Sequence, residues 1–198
     1  MKRVRAYGVL EMRAYHEAGH VLVALLEGFR VKRVTISRHG RIGGACEYGL
    51  AIPRHASRRA LRGLVGATAA VALAGSAAQD REALERGLVA LDPRTGAPFP
   101  LFAAGSEDDE RIATRFARRL HPRATPRWAF LGRVRMRVEL VLDDPSAWAA
   151  VRRLALALLR ERTLTGDEAT RTARRAIADA CRRARPRRRR ARAARRAA

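Results

Sequence analysis

The chain has 198 residues, of which 47% are hydrophobic and 31% charged, so it can form one domain with a proper core but not two large ones. Its 42 Lys and Arg residues against 19 Asp and Glu give a formal net charge of +23, which directs attention to anionic partners. Two cysteines exclude a disulfide framework, and no uncharged run reaches ~20 strongly apolar residues, so the sequence predicts a cytoplasmic protein without a transmembrane segment.

The N-terminal part predicts a helix, a hairpin and a buried helical region. Residues 11–27 carry an apolar stripe at helical spacing. The segments "VKRVTIS" (31–37) and "IGGACEY" (42–48) flank a turn that contains Gly40, which predicts a β-hairpin. Small apolar residues at 57–73 predict a buried helix, followed by a second helical stretch, "AGSAAQDREALERGL".

The middle of the chain contains two predicted loops and two predicted helices. The proline- and glycine-rich stretch 90–105 is typical of a loop. A helix begins at Ser106, where acids in the first turn and arginines in the last turn suit the helix dipole. After the loop "HPRATPRW", residues 129–142 fit both a strand and a helix, and we favour the helix.

Two helix starts are marked near the C-terminus. Asp144 and Pro145 predict the start of a helix that ends near Arg162. Thr165 and Glu168 have the spacing of a capping box for a last helix that ends at Cys181. The sequence therefore predicts a mainly α fold with a small β-hairpin.

Residues 182–198 form an arginine-rich C-terminal segment. They contain ten arginines and no acid, so 23 − 10 leaves +13 for the rest of the chain. A run of this kind repels itself and lacks apolar groups, so we expect a disordered tail after a domain of residues 1–181. The segment is a candidate arm for nucleic acid or an anionic surface, and the alternative is a solvated tail without a partner.

The sequence "AYHEAGH" (14–20) has the form H-E-x-x-H. Because a helix turns once per 3.6 residues, His16 and His20 project from one face and can bind a single Zn²⁺ through ring nitrogens. Glu17 is placed to accept a proton from a water activated by the metal. Gly19 indicates a close backbone approach, since glycine within a helix is unfavourable by ~1 kcal/mol. We therefore interpret the motif as a hydrolytic metal site rather than two histidines on an ordinary helix.

The motif does not supply the third protein ligand that catalytic zinc needs. His39 falls in the predicted turn, His121 precedes a proline, and His55 has no matching spacing. A carboxylate from residues 107–110 is the richest alternative, although acids in a first helical turn also suit the helix dipole. Spacing alone leaves four candidates: Glu107, Asp108, Asp109 and Glu110.

Five segments carry a resemblance to a known family: "AYHEAGH", "VKRVTISRHGRIGG", "LAGSAAQ", "GSEDDERIATRFAR" and "VRRLALALLRERTLTGDE". The chain resembles the peptidase domain of the FtsH family of ATP-dependent zinc metalloproteases over roughly residues 12–120 and 148–170. The resemblance implies a zincin-like helical metallopeptidase domain, with a third zinc ligand in a segment of the form G-A-S-N-D-x-x-x-A-T. Laid on "GSEDDERIAT", that aspartate is Asp109, and Asp108 is the fallback.

The chain departs from the family pattern in ways that bear on the site. Where the family usually reads G-G-R-A-A-E-E, Gln79 and Asp80 replace two glutamates, and Ser76 replaces an arginine. Gln79 keeps hydrogen-bonding capacity but has no charge. The sequence also contains no G-x-x-x-x-G-K-[ST], so we expect no ATPase motor in this chain.

We therefore expect a zinc metalloendopeptidase for unfolded or short polypeptides, with Zn²⁺ on His16, His20 and Asp109 and with Glu17 as general base. The hairpin strand near 42–48 could hold an extended substrate by β-augmentation. A separate AAA ATPase is a candidate partner, and a homo-oligomer is left open. Two alternatives are a nucleic-acid-binding module with a vestigial metal site and a regulatory subunit of an ATP-dependent protease.

Overall fold

The computed structural model describes residues 8–37, 44–49, 57–91, 94, 98–100 and 106–197. Within these ranges the chain forms six helices and five short strands: α1 (Val9–Leu26), β1 (Arg30–Thr35), β2 (Ala45–Gly49), α2 (Arg58–Glu85), β3 (Val89–Leu91), β4 (Pro98–Pro100), α3 (Ser106–Arg118), α4 (Ala124–Asp143), α5 (Pro145–Glu161), β5 (Thr163–Thr165) and α6 (Gly166–Ala197). The fold is mainly helical with a small antiparallel sheet, which confirms the predicted class.

The small sheet has the strand order β2-β1-β5 and is antiparallel throughout. The predicted pairing of the hairpin strands is confirmed, with Val34 opposite Cys46, while the predicted turn at 38–41 lies outside the described residues. On its other side β1 pairs with β5, where Leu164 lies opposite Val34. Sequence analysis missed β5 because three residues are too few for a strand pattern. In this order β2 is an edge strand.

Helices α1 and α2 pack closely at the centre of the molecule. A Cβ atom on Gly19 would lie 2.4 Å from the Ala74 carbonyl oxygen and 2.8 Å from the Ala78 Cβ, so the predicted close approach at Gly19 is confirmed. The partner surface is the alanine-rich middle of α2, which is one 28-residue helix where the sequence suggested two. Small side chains on both helices therefore bring the two backbones together.

The length and composition of α2 would also allow it to cross a membrane. However, 56% of its most apolar window is buried inside the protein. A buried core helix meets the same criterion of length and hydropathy, so this property is weak evidence for a membrane span. The absence of a transmembrane segment stays a prediction.

The remaining predicted helices and loops have mixed outcomes. Residues 129–142 lie within α4, so the preference for a helix over a strand is confirmed. Two short strands, β3 and β4, pair with each other at 89–91 and 98–100, largely within the stretch 90–105 that was predicted to be a loop. Each strand has only three residues, and β4 has proline at both ends, so neither shows the alternating pattern on which strand prediction depends.

Both predicted C-terminal helix starts are confirmed by their hydrogen bonds. The Asp144 carboxylate accepts hydrogen bonds from the backbone N–H groups of Ser146 at 2.8 Å and Ala147 at 3.0 Å. The backbone N–H of Thr165 donates to Glu168 Oε2 at 2.8 Å, and that of Glu168 donates to Thr165 Oγ1 at 3.3 Å. These reciprocal bonds form the capping box of α6.

Helix α6 continues through the arginine-rich segment to Ala197, whereas the composition predicted disorder after Cys181. Alanine and arginine are strong helix formers, which gives the backbone a local reason to stay helical. Pro186 acts in the opposite direction because it removes a backbone donor. Disorder of 182–198 in solution, and with it the boundary of the 1–181 domain, stays a prediction.

Candidate metal centre

His16 and His20 on α1 and Asp109 on α3 converge on one point. The Nε2 atoms of His16 and His20 lie 2.8 Å and 3.2 Å from the same Asp109 oxygen, Oδ2. The two Nε2 atoms are 3.0 Å apart. Ligand atoms at 2.0–2.2 Å from a tetrahedral zinc would be separated by about 3.3 Å, so the three atoms have nearly the spacing of a metal's ligand set. Together they form a group that could hold a metal ion.

Acceptors on α2 fix both imidazole rings. The Nδ1–H of His16 donates to Gln79 Oε1 at 3.0 Å, and the Nδ1–H of His20 donates to the backbone carbonyl of Val71 at 2.7 Å. The Gln79 amide is itself oriented, because its Nε2 donates to the Met12 carbonyl oxygen at 3.2 Å. A carbonyl oxygen cannot donate, so each neutral ring carries its proton on Nδ1 and presents the Nε2 lone pair to the centre.

The converging atoms fit a cation because all three are acceptors. Two lone pairs and a carboxylate oxygen repel one another unless a proton or a metal lies between them. Burial lowers the pKa of His20, but the hydrogen bond to Asp109 and its charge outweigh this effect and raise the pKa to about 9. Burial raises the pKa of Asp109, yet the contacts of its carboxylate with His16 and His20 hold the pKa well below its ordinary value. A divalent cation would satisfy the same atoms in place of the proton.

The backbone of α2 makes room for the imidazoles at Gly75. A Cβ atom at this position would lie 2.5 Å from His20 Nε2 and 2.6 Å from His16 Nε2. Any side chain here would therefore displace the nitrogens that face the centre. Sequence analysis missed Gly75, although a glycine within a predicted helix is the same signal that identified Gly19.

Glu17 is buried beside the ligands and is only 5% exposed. Its Oε2 has no hydrogen-bond partner among the described residues. Gly44, immediately before β2, lies against the same carboxylate, since a Cβ there would be 2.5 Å from Glu17 Oε1. Burial raises the pKa of Glu17, and the charges of His20 and His16 act in the opposite direction. Buried polar atoms are nearly always partnered, so this oxygen is available to accept a hydrogen bond from a polar group beside the histidines.

The other acids of α3 do not join the centre. The side chains of Glu107 and Asp108 are 82% and 83% exposed and pair with Arg111 at 3.2 Å and 2.7 Å. Glu110 is exposed as well. Asp109 is therefore the acid of this turn that the fold directs inward, with a side-chain exposure of 19%.

The remaining sequence candidates lie elsewhere. His121 packs against Phe130, with ring centroids 5.2 Å apart. His39 and His55 lie outside the described residues. The other two departures from the family pattern are Ser76 and Asp80. Both accept hydrogen bonds from the Arg135 guanidinium on α4, at 2.7 Å to Ser76 Oγ and 2.6 Å to Asp80 Oδ2. They connect α2 to α4, whereas Gln79 contacts the metal centre.

Comparison with known proteins adds no further assignment. No protein-family model matches the chain, and no curated protein matches it. Function is therefore inferred from the residues themselves, of which His16, His20 and Asp109 form a largely buried group that could hold a metal ion.

Proposed function

We propose that the protein is a zinc metallopeptidase, similar to the FtsH peptidase domain, that hydrolyses peptide bonds in unfolded or short polypeptides. The observation that carries the proposal is the convergence of His16 Nε2, His20 Nε2 and Asp109 Oδ2 within hydrogen-bonding distance of one another. Two imidazoles and one carboxylate suit zinc, and three protein ligands are typical of catalytic sites, which keep one coordination position open.

Glu17 is the proposed general base. When bound, zinc supplies a Lewis acid that polarises a carbonyl group and lowers the pKa of water. Glu17 then takes a proton from the attacking water and delivers it to the leaving amine. Its position one residue after His16, its burial and its unpartnered Oε2 support this role. Gln79 and Val71 keep the two ring nitrogens directed at the centre through their contacts with Nδ1.

The edge strand β2 supports an extended polypeptide as the substrate. Within the described residues β2 pairs with β1 on one side, which leaves its other edge free for a further strand. The strand begins next to Gly44, which lies against the Glu17 carboxylate. A polypeptide that pairs with this edge would therefore pass close to the general base. Folded proteins rarely offer such a segment, so unfolded or short chains are the expected substrates.

The variant Glu17→Gln tests the proposal, because it removes the proton acceptor and leaves all three ligands in place. We expect unchanged zinc content and cleavage of casein slowed by roughly 10²–10⁴. Glu107→Gln is the matched control, since its carboxylate is 82% exposed and pairs with Arg111. Casein cleavage that is equal in wild type and Glu17→Gln, or that persists undiminished after zinc is removed by a chelator, would contradict the proposal.

A further inference from the structure

The solvent-facing side of α6 carries a row of arginines. Its described members are all exposed: Arg171, Arg174, Arg175 and Arg182. At 3.6 residues per turn these positions fall within an arc of about 100° and extend over about 16 Å of helix. The opposite side of α6 is buried through three alanines: Ala169, Ala173 and Ala176. We call this row the α6 arginine face.

Few acids neutralise the α6 arginine face. Between 169 and 184 the only acid in the sequence is Asp179, which pairs with Arg182 and lies 3.7 Å from Arg153 of α5. In the first turn, Asp167 is exposed one helical turn before Arg171, and Glu168 is engaged in the capping box with Thr165. Within the described part of the chain, the three other arginines of the face form no ion pair. Arg174 and Arg175 present their guanidinium groups to solvent, whereas the charge of Arg171 interacts with that of Glu168.

The sequence continues the same spacing beyond the described side chains. Arginine recurs at positions 185, 189, 192 and 196, which follow the row at helical intervals. The arginine-rich segment is therefore not an isolated charge run, because its pattern begins within the folded part of α6. A partner that binds the α6 arginine face would meet further positive charge along the chain.

The chemistry of this face favours the phosphate backbone of a nucleic acid. Guanidinium groups stay charged and bind phosphate oxygens in bidentate geometry. A helix that lies on a membrane needs large apolar residues. The position at the middle of the α6 arginine face is Ala178, whose side chain is too small for this purpose. Binding to single strands relies on aromatic stacking, and residues 166–184 contain no aromatic residue. We propose that the α6 arginine face binds duplex nucleic acid through its phosphates, without sequence preference.

This activity is separate from the proposed peptidase. The α6 arginine face lies on a helix that packs against α5 and the sheet, whereas the metal ligands lie on α1 and α3. Removing the arginines should therefore leave casein cleavage unchanged, so the two proposals can fail independently.

The test measures binding of the full chain to a short fluorescein-labelled DNA duplex of mixed sequence by anisotropy across a salt series. The triple variant Arg171→Gln/Arg174→Gln/Arg175→Gln removes three charges from the face. The matched control Arg58→Gln/Arg59→Gln/Arg62→Gln removes three exposed charges from the start of α2. We expect the α6 variant to bind the duplex at least about 10-fold more weakly at low salt. The slope of log K against log salt concentration should be smaller in magnitude by about 3, at ~0.9 per lost phosphate contact. The α2 control should keep both values close to those of wild type.

Three results would overturn the proposal. Equal weakening by the two triple variants would show that net charge, and not the α6 arginine face, determines binding. If the wild-type chain does not bind the duplex at low salt, the protein lacks the proposed duplex-binding activity. Tighter binding to phosphatidylserine vesicles than to the duplex would assign the face to an anionic membrane surface.

Discussion

The helix pairs α1–α2 and α5–α6 are built in different ways. In the first pair a Cβ atom on Gly19 would meet the backbone of α2 at Ala74, and one on Gly75 would meet the imidazole rings of α1. In the second, α5 contributes large, fully buried side chains such as Leu154 and Leu158, and α6 contributes alanines. The backbone of α2 thus forms a wall of the candidate metal centre, while α5 and α6 supply core volume. A small change in the first pair should alter metal binding, and one in the second should alter stability.

The largest effect is expected from Gly75→Ala. The added methyl group would lie 2.5 Å and 2.6 Å from the Nε2 atoms of His20 and His16, so the ligands must move apart or rotate. We expect zinc affinity, measured by competition with a chromophoric chelator, to fall by more than about 100-fold, beyond the usual effect of changes around the ligands.

Gly66→Ala is the matched control on the same helix. Apart from its own helix backbone, no atom of the described residues lies within 4 Å of a Cβ built at this position, so the substitution should leave zinc affinity unchanged. Alanine is also the better helix former, by about 1 kcal/mol, so the variant should be no less stable than wild type. Similar zinc affinity in the Gly75 and Gly66 variants would contradict the close packing of α2 on the histidines.

A smaller effect is expected from Gln79→Leu, which removes the acceptor for the Nδ1–H of His16. The ring would lose its fixed orientation, and zinc affinity should fall about 10–100-fold in the same competition assay. Gln79→Glu restores an acceptor at this position and should retain more affinity than the leucine variant. If Gln79→Leu binds zinc as tightly as wild type does, Gln79 has no part in positioning His16.

Sequence analysis could predict the parts of the site that depend on local spacing. The positions of His16 and His20 on one helical face follow from their four-residue separation, and the inward position of Gly19 follows from its low helix propensity. Asp109 is different, because acids at the start of a helix are explained equally well by the dipole. The resemblance to a family, and not the spacing, singled it out from its neighbours.

Features that depend on tertiary contacts gave no usable signal in the sequence. The acceptor for His20 is the backbone carbonyl of Val71, and any residue at that position offers the same oxygen. Strand β5 exists because three residues between two helices pair with β1, which no local pattern records. Gly75 was recognisable as an unusual helical glycine, but the atoms that it accommodates became known only from the packing of α1 on α2.

The pH dependence of stability should distinguish the metal-free from the metal-loaded centre. The fold raises the pKa of His20 from 6.5 to about 9, so the stabilisation from its proton is fully present below pH 6.5 and is lost as the pH rises through about 9. The metal-free protein should therefore have a falling unfolding temperature over this range. Zinc replaces the proton, so the loaded protein should not show this decrease. If the unfolding temperature changes with pH in the same way with and without chelator, the proposed exchange of the His20 proton for zinc is contradicted.

The smallest effect on metal binding is expected in the second helix pair. Leu158 is fully buried on α5, so Leu158→Ala should lower the free energy of unfolding by about 2–5 kcal/mol in urea denaturation. The folded variant should still bind zinc as wild type does. Leu156→Ala is the control on the same helix, because its side chain is 60% exposed and should change neither property appreciably. A loss of zinc in folded Leu158→Ala would show that the two regions are coupled.

The zinc content of the purified protein and of two variants on α3 tests the central claim most directly. Mass spectrometry of the metal should find about one zinc per chain in wild type, as a single three-ligand site requires. Glu107→Ala should keep that zinc, because Glu107 is exposed, and Asp109→Ala should lose it, because Asp109 Oδ2 meets both histidines. Full zinc in Asp109→Ala, or none in wild type supplied with zinc, would contradict the account of this centre.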